Sequence, residues 1–373
     1  MNRYFVSLFL IIAVLIDSCV TRFDFDSSNA TTQLVVEGFI TDEPGPYYVK
    51  LTRSRQILDF TPTKSVSALK VMILDDAGNS ETLTETFPGF FQTNPNGIRG
   101  TMGRSYHVRI ETRDGKIYES LPEKITPAGL INKIYKTFEE VESETGSPKY
   151  QFKILMDSDG NPAGENSLQW KFDAIYRVIT KPELRSESFG QGSIPSPRSC
   201  SGYVYTTPNR LGGELVQVDT CSCCTCWAKI VNSLPKISTN QVISSGSYKG
   251  IEMGVIPVEY WTFFDKVLVE VRQLSISPLV LAYWKTVADQ KEGGTSLFQP
   301  AIGKAHSNIQ HLNGSDEVQG LFYAAGVNKK TFFIDAKDIP DGSSIIPVAP
   351  APIAESCLLA FPGSTNRPPE GWK

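Results

Sequence analysis

Six cysteines carry the densest chemistry in this sequence. Cys221, Cys223, Cys224 and Cys226 fall within the run Cys221-Ser222-Cys223-Cys224-Thr225-Cys226-Trp227, with Cys200 upstream and Cys357 near the end. Cys221/Cys224 and Cys223/Cys226 each have a C-x-x-C interval, which allows three chemistries. Structural zinc draws on two well-separated thiolate pairs, and four ligands from six consecutive residues make a cramped cage. A thioredoxin-type redox pair needs a strand-to-helix setting that this stretch lacks. Disulfides are the third chemistry, and an even set of cysteines in an exported chain favours them. Six cysteines allow 15 connectivities. The adjacent Cys223 and Cys224 are expected to pair elsewhere, because a bridge wants Cα atoms about 5.5 Å apart.

The other reactive residue types are sparse. There are 3 histidines in the chain, which leaves little room for imidazole catalysis. His306 and His311 are five apart beside Asp316 and Glu317, without a third ligand at a metal-binding spacing. Asp157-x-Asp159-Gly160-Asn161 resembles the start of a calcium loop but has no glutamate at the closing position, and reads as a turn. No nucleophile elbow, zincin, P-loop or dinucleotide motif is present. Lys+Arg 36 against Asp+Glu 40, with no basic run longer than Lys329-Lys330, argues against a nucleic-acid partner. A non-enzymatic protein with no cofactor and no metal is therefore expected.

Cys19 is a cysteine of another kind. Arg3 precedes an apolar run from Phe5 to Ile16, too short for the ~20 residues of a spanning helix and suited to a signal-peptide core. The run ends in Ile16-Asp17-Ser18-Cys19. An aliphatic residue three before a cysteine, with a small residue directly before it, is a bacterial lipobox pattern. Residues 1–18 are expected to be removed, and Cys19 to carry acyl chains such as palmitate. Each buried methylene contributes about 0.8 kcal/mol, so two or more chains would hold the protein on a membrane. Residues 19–33 are polar enough to serve as a tether.

The elements that must position these residues read as strands. Leu34, Val36 and Ile40 share one face; so do Tyr47, Val49 and Leu51, then Val71 and Ile73, then Tyr106, Val108 and Ile110. Turn residues such as Asp42-Glu43-Pro44-Gly45 and Asp114-Gly115 separate them. The expected fold is mainly β. It begins with an N-terminal Ig-like β-sandwich over residues 34–127. A larger second β domain over residues 128–373 follows, with one short helix and an irregular Cys-rich insertion at 181–250. Ser277-Pro278 has helix-start chemistry, Val280, Tyr283, Trp284 and Val287 follow at helical spacing, and Gly293-Gly294 ends the run.

Several stretches together resemble the domain-of-unknown-function 4249 family of Bacteroidota-type lipoproteins. They are the lipobox, LVVEGFITDEPGPYYVKLTRS (34–54), RSYHVRIETRDGKIYES (104–120), the Cys226-Trp227 step, SISPLVLAYWKTVADQ (275–290), residues 294–327, Cys357, and the terminal Pro368 to Trp372 segment. The resemblance implies an outer-membrane lipoprotein encoded beside a TonB-dependent receptor and accessory to it. No catalytic residues come with the resemblance. A structural or adhesive surface lipoprotein is the alternative expectation, and a hydrolase a more distant one.

Overall fold

The computed structural model describes residues 32–55, 61–142, 148–161, 166–190, 192–207, 213–238, 246–293, 303–340 and 345–372. The protein is mainly β, and its alternating segments form the strands that their patterns predict. In Leu34–Thr41, Tyr48–Arg53 and Ser105–Thr112, alternate residues are buried, as are Val71 and Ile73 in Ala68–Asp75. Val36, Val49, Leu51, Val71, Ile73, Val108 and Ile110 are all 0% exposed and share one core with Tyr106, Tyr118 and Phe322. Two sheets enclose that core. One holds Ala68–Asp75, Ser105–Thr112, Ile117–Ser120 and Ile309–His311; the other holds Leu34–Thr41, Tyr48–Arg53 and Phe90–Gln92.

The second of these sheets does not stop at the edge of the N-terminal lobe. In spatial order it runs Thr225–Val231, Leu168–Ile179, Lys266–Ser275, Val318–Asp335, Leu34–Thr41, Tyr48–Arg53, Phe90–Gln92 and Thr84–Phe87, with Lys236–Ile237 also pairing to Leu168–Ile179. The 18-residue strand Val318–Asp335 is its spine. Residues 318–325 pair in parallel with Leu34–Thr41, while residues 326–335 pair antiparallel with Lys266–Ser275. A strand covered on both faces needs a near-continuous apolar run rather than alternation, and Leu321-Phe322-Tyr323-Ala324-Ala325 supplies one. Residues 309–325 therefore complete the N-terminal lobe from the far end of the chain.

A three-stranded sheet, Leu130–Val141, Lys149–Asp159 and Ser247–Pro257, packs on one face of the spine sheet. Phe152, Ile154 and Met156 meet Trp170, Phe172, Val269 and Val271 in a second core. On the opposite face lies the helix Pro278–Gly293. It starts as the sequence predicts, with Ser277 Oγ accepting from the Val280 amide at 3.3 Å. Val280, Tyr283 and Trp284 pack on Leu274, Leu321 and Tyr323. Two four-residue helices, Tyr260–Phe263 and Cys357–Ala360, join it.

The Cys-rich stretch is more ordered than its composition suggests. It holds two small hairpins, Ser186–Phe189 with Gly192–Pro195 and Tyr203–Tyr205 with Leu215–Gln217. Thr225–Val231 within it is a regular strand of the spine sheet, paired from Thr225↔Ile179 to Val231↔Asp173. Its alternation is carried by Cys226 and Ala228, both buried. A half-cystine and an alanine make a weak hydrophobic signal, so the strand is decided by its partner.

Candidate functional site

The spine sheet turns one face toward the helix Pro278–Gly293 and leaves a cleft of about 500 Å³ beside it. Period-two geometry puts Gln169, Lys171 and Asp173 of one strand on that face, together with Glu37 and Phe39, Tyr48, and Leu321 and Tyr323 from three others. The helix supplies Tyr283, Trp284 and Val287 as a wall, and the turn through Asn232, Leu234 and Pro235 supplies the opposite rim. Lys291 Nζ donates to Ser233 Oγ at 2.6 Å and ties the helix to that turn. The volume and the mixture of aromatic walls with a few polar groups match what small-molecule sites require.

The aromatic rings are ordered. Tyr323 stacks on Phe39 at 5.8 Å between centroids, Phe39 meets Tyr48 edge-on at 5.2 Å, Tyr48 stacks on Phe90 at 5.3 Å, and Phe90 meets Phe87 at 5.1 Å. One ring from each of five neighbouring strands thus forms a track from the cleft to the sheet edge, where Phe87 is 62% exposed. Lys171 Nζ stands 4.6 Å from the Phe39 centroid and 5.8 Å from that of Tyr323, within cation–π range. It donates to the Tyr323 hydroxyl at 3.1 Å, and that hydroxyl donates to Gln169 Oε1 at 3.2 Å. Burial raises the Tyr48 and Tyr283 phenols above their ordinary values, with the Glu37 carboxylate adding to both shifts. They therefore serve as neutral hydroxyls.

The six cysteines are assembled elsewhere, into three disulfides: Cys200–Cys223, Cys221–Cys224 and Cys226–Cys357, with Cα separations of 5.6, 5.7 and 5.7 Å. The adjacent Cys223 and Cys224 take different partners. Cys226 and Cys357 are both 0% exposed in a small core with Val178 and Ala228. The Cys357 amide donates to the Cys223 carbonyl at 2.9 Å. Cys19 lies outside the described residues. His311 stacks on Tyr118 at 4.6 Å, and its Nδ1 accepts from the Asp316 amide at 3.1 Å. Asp157 accepts from the Gly250 amide and Asp159 from Asn132, so both carboxylates tie local backbone and side chains. Among the described residues no three metal-ligating side chains converge.

Sequence reasoning assigned Trp284 to a helix face but did not single out Phe39, Lys171 or Tyr323. The one signal for Lys171 is a charge between the aromatic Trp170 and Phe172 near the start of a strand.

Fold and cleft together define a two-lobed, mainly β protein with an aromatic cleft on one sheet face. The chain belongs to the family described as Domain of unknown function (DUF4249), whose model matches residues 20–331. No curated protein and no solved structure matches it.

Proposed function

We propose that this protein is a lipid-anchored outer-membrane protein that works, without catalysis of its own, as the ligand-binding accessory of a TonB-dependent receptor, and that the aromatic cleft is its ligand site. The cleft carries the reading: about 500 Å³ of space walled by Phe39, Tyr283, Trp284 and Tyr323, with Lys171 and Gln169 at its floor. Aromatic walls bind flat or ring-bearing molecules by area and stacking, and a few polar groups orient them. The anchor rests on the lipobox at Cys19 and the receptor on the family resemblance.

Co-purification from outer membranes in mild detergent, followed by mass spectrometry, tests the partnership. A TonB-dependent receptor is expected in near-stoichiometric amount. Recovery of the protein without such a receptor overturns the accessory role.

A further inference from the structure

The cleft has an imbalance of charge that bears on the class of its ligand. Lys171 is half-buried. Its ammonium meets a hydroxyl and two ring faces, and no carboxylate of the described residues lies within ion-pair reach of it. The two carboxylates that line the same cleft are engaged elsewhere. Glu37 pairs with Lys50 at 3.3 Å, and Asp173 with Arg272 at 3.8 Å. Arg272 also meets Glu43 and Glu270, so that neighbouring network has acids enough of its own.

The bonds from Lys171 to Tyr323 and from Tyr323 to Gln169 Oε1 run donor to acceptor. Gln169 Nε2 and the indole Nε1 of Trp284 lack acceptors but are both closed off from solvent, so the Lys171 ammonium is the polar group that a ligand in the cleft meets. A positive charge with no carboxylate beside it calls for a ligand that brings a negative group. The stacked rings around it call for a flat or ring-shaped body.

We infer that the cleft takes a ring-bearing carboxylate, with the carboxylate on Lys171 and the ring against the aromatic lining that Phe39 and Tyr323 of the sheet and Tyr283 and Trp284 of the helix provide. The inference rests on the reading of this cleft as the ligand site and adds the chemical class. An aromatic acid and a sugar acid share that chemistry, and the test separates them.

The full mature chain is titrated with phenylacetate and its neutral counterpart phenylacetamide, and with galacturonate and its neutral counterpart galactose. Binding is followed by calorimetry and by tryptophan emission, which Trp284 reports. At least one acid is expected to bind tenfold or more tightly than its neutral counterpart, and the acid that does so identifies the ring type. Lys171→Met, which keeps an unbranched side chain without the charge, is expected to erase that preference, and Lys171→Arg to retain most of it. If Lys171→Met fails to fold, the acid-to-neutral ratio in the wild type still decides. Neutral compounds binding as tightly as acids, or a preference indifferent to Lys171→Met, overturn the carboxylate inference while leaving the cleft a ligand site. No binding by any of the four compounds up to tens of millimolar overturns the cleft as a small-molecule site. The receptor partnership is judged separately by co-purification.

Discussion

Lys171 reaches from the strand Leu168–Ile179 to the hydroxyl of Tyr323 on Val318–Asp335, at 3.1 Å, although Lys266–Ser275 lies between the two strands. The two side chains together bridge that separation, and the ammonium is delivered among the cleft's rings. A residue from the second β region and one from the strand that completes the N-terminal lobe thus meet in one small polar chain, which ends at Gln169.

Tyr323→Phe tests that chain. The variant strips Lys171 of its acceptor and Gln169 Oε1 of its donor while preserving the ring. A loss of about 1–3 kcal/mol is expected from the unsatisfied buried amide, read as a lower urea midpoint at unchanged m-value. An unaltered midpoint would show that the chain contributes nothing to stability.

The three disulfides should differ in weight according to the loops they close. Sequence separations of 3, 23 and 131 residues correspond in the chain-entropy model to about 2, 3–4 and 5 kcal/mol. Paired Cys→Ser replacement, measured by guanidinium unfolding without reductant, is expected to rank Cys226–Cys357 first and Cys221–Cys224 last. An equal cost for those two pairs would contradict the ranking.

Gly320 sits opposite Val36 in the parallel pairing at φ +90°, and a Cβ there would lie 2.0 Å from the Val36 carbonyl oxygen. Gly78, at φ +87°, has open space around it. Gly320→Ala is therefore expected to cost more than about 2 kcal/mol, and Gly78→Ala only about 1 kcal/mol of backbone strain. Comparing the two thermal midpoints isolates the effect of the close approach.

Glu123 is 4% exposed, and burial raises its carboxyl above the ordinary range against the opposing hydrogen bonds of Ser277 and Asn308. A folded-state value above the unfolded one means that the folded protein holds the proton more tightly. The corresponding stability is full below the ordinary carboxylate value and is lost as pH rises through the raised one. Glu123→Gln should remove that decline and be the more stable of the two proteins at neutral pH. Unfolding of both proteins from pH 4 to 8 checks it, since the lowered carboxylates such as Asp159 cancel in the difference. A difference that does not change with pH would rule the titration out.

Cys19→Ala addresses the anchor. With the acylated thiol gone, the protein should leave the membrane fraction for the soluble one, because the affinity of the lipidated form comes from its acyl chains. Persistence of the variant in membranes after a high-salt wash would refute the lipobox reading.

Local physics was legible in the sequence. Period-two alternation marked Tyr47, Val49 and Leu51, or Tyr106, Val108 and Ile110, as one buried face, because a strand must place alternate side chains on one side. Ser277-Pro278 marked the helix start, because an N-cap oxygen and a proline without N–H suit the first turn. The even cysteine set argued for bridges, since its chemistry depends on count and compartment. Tertiary structure alone decided which distant segments meet. The pairing of Leu34 with Val318 spans most of the chain, and neither strand's alternation names its partner, because backbone hydrogen bonds are the same for any strand. The disulfide partners of Cys226 and Cys357 and the cleft of Phe39, Lys171, Trp284 and Tyr323 are of the same kind. Each residue fits its own local element, and only the packing of those elements brings the side chains together.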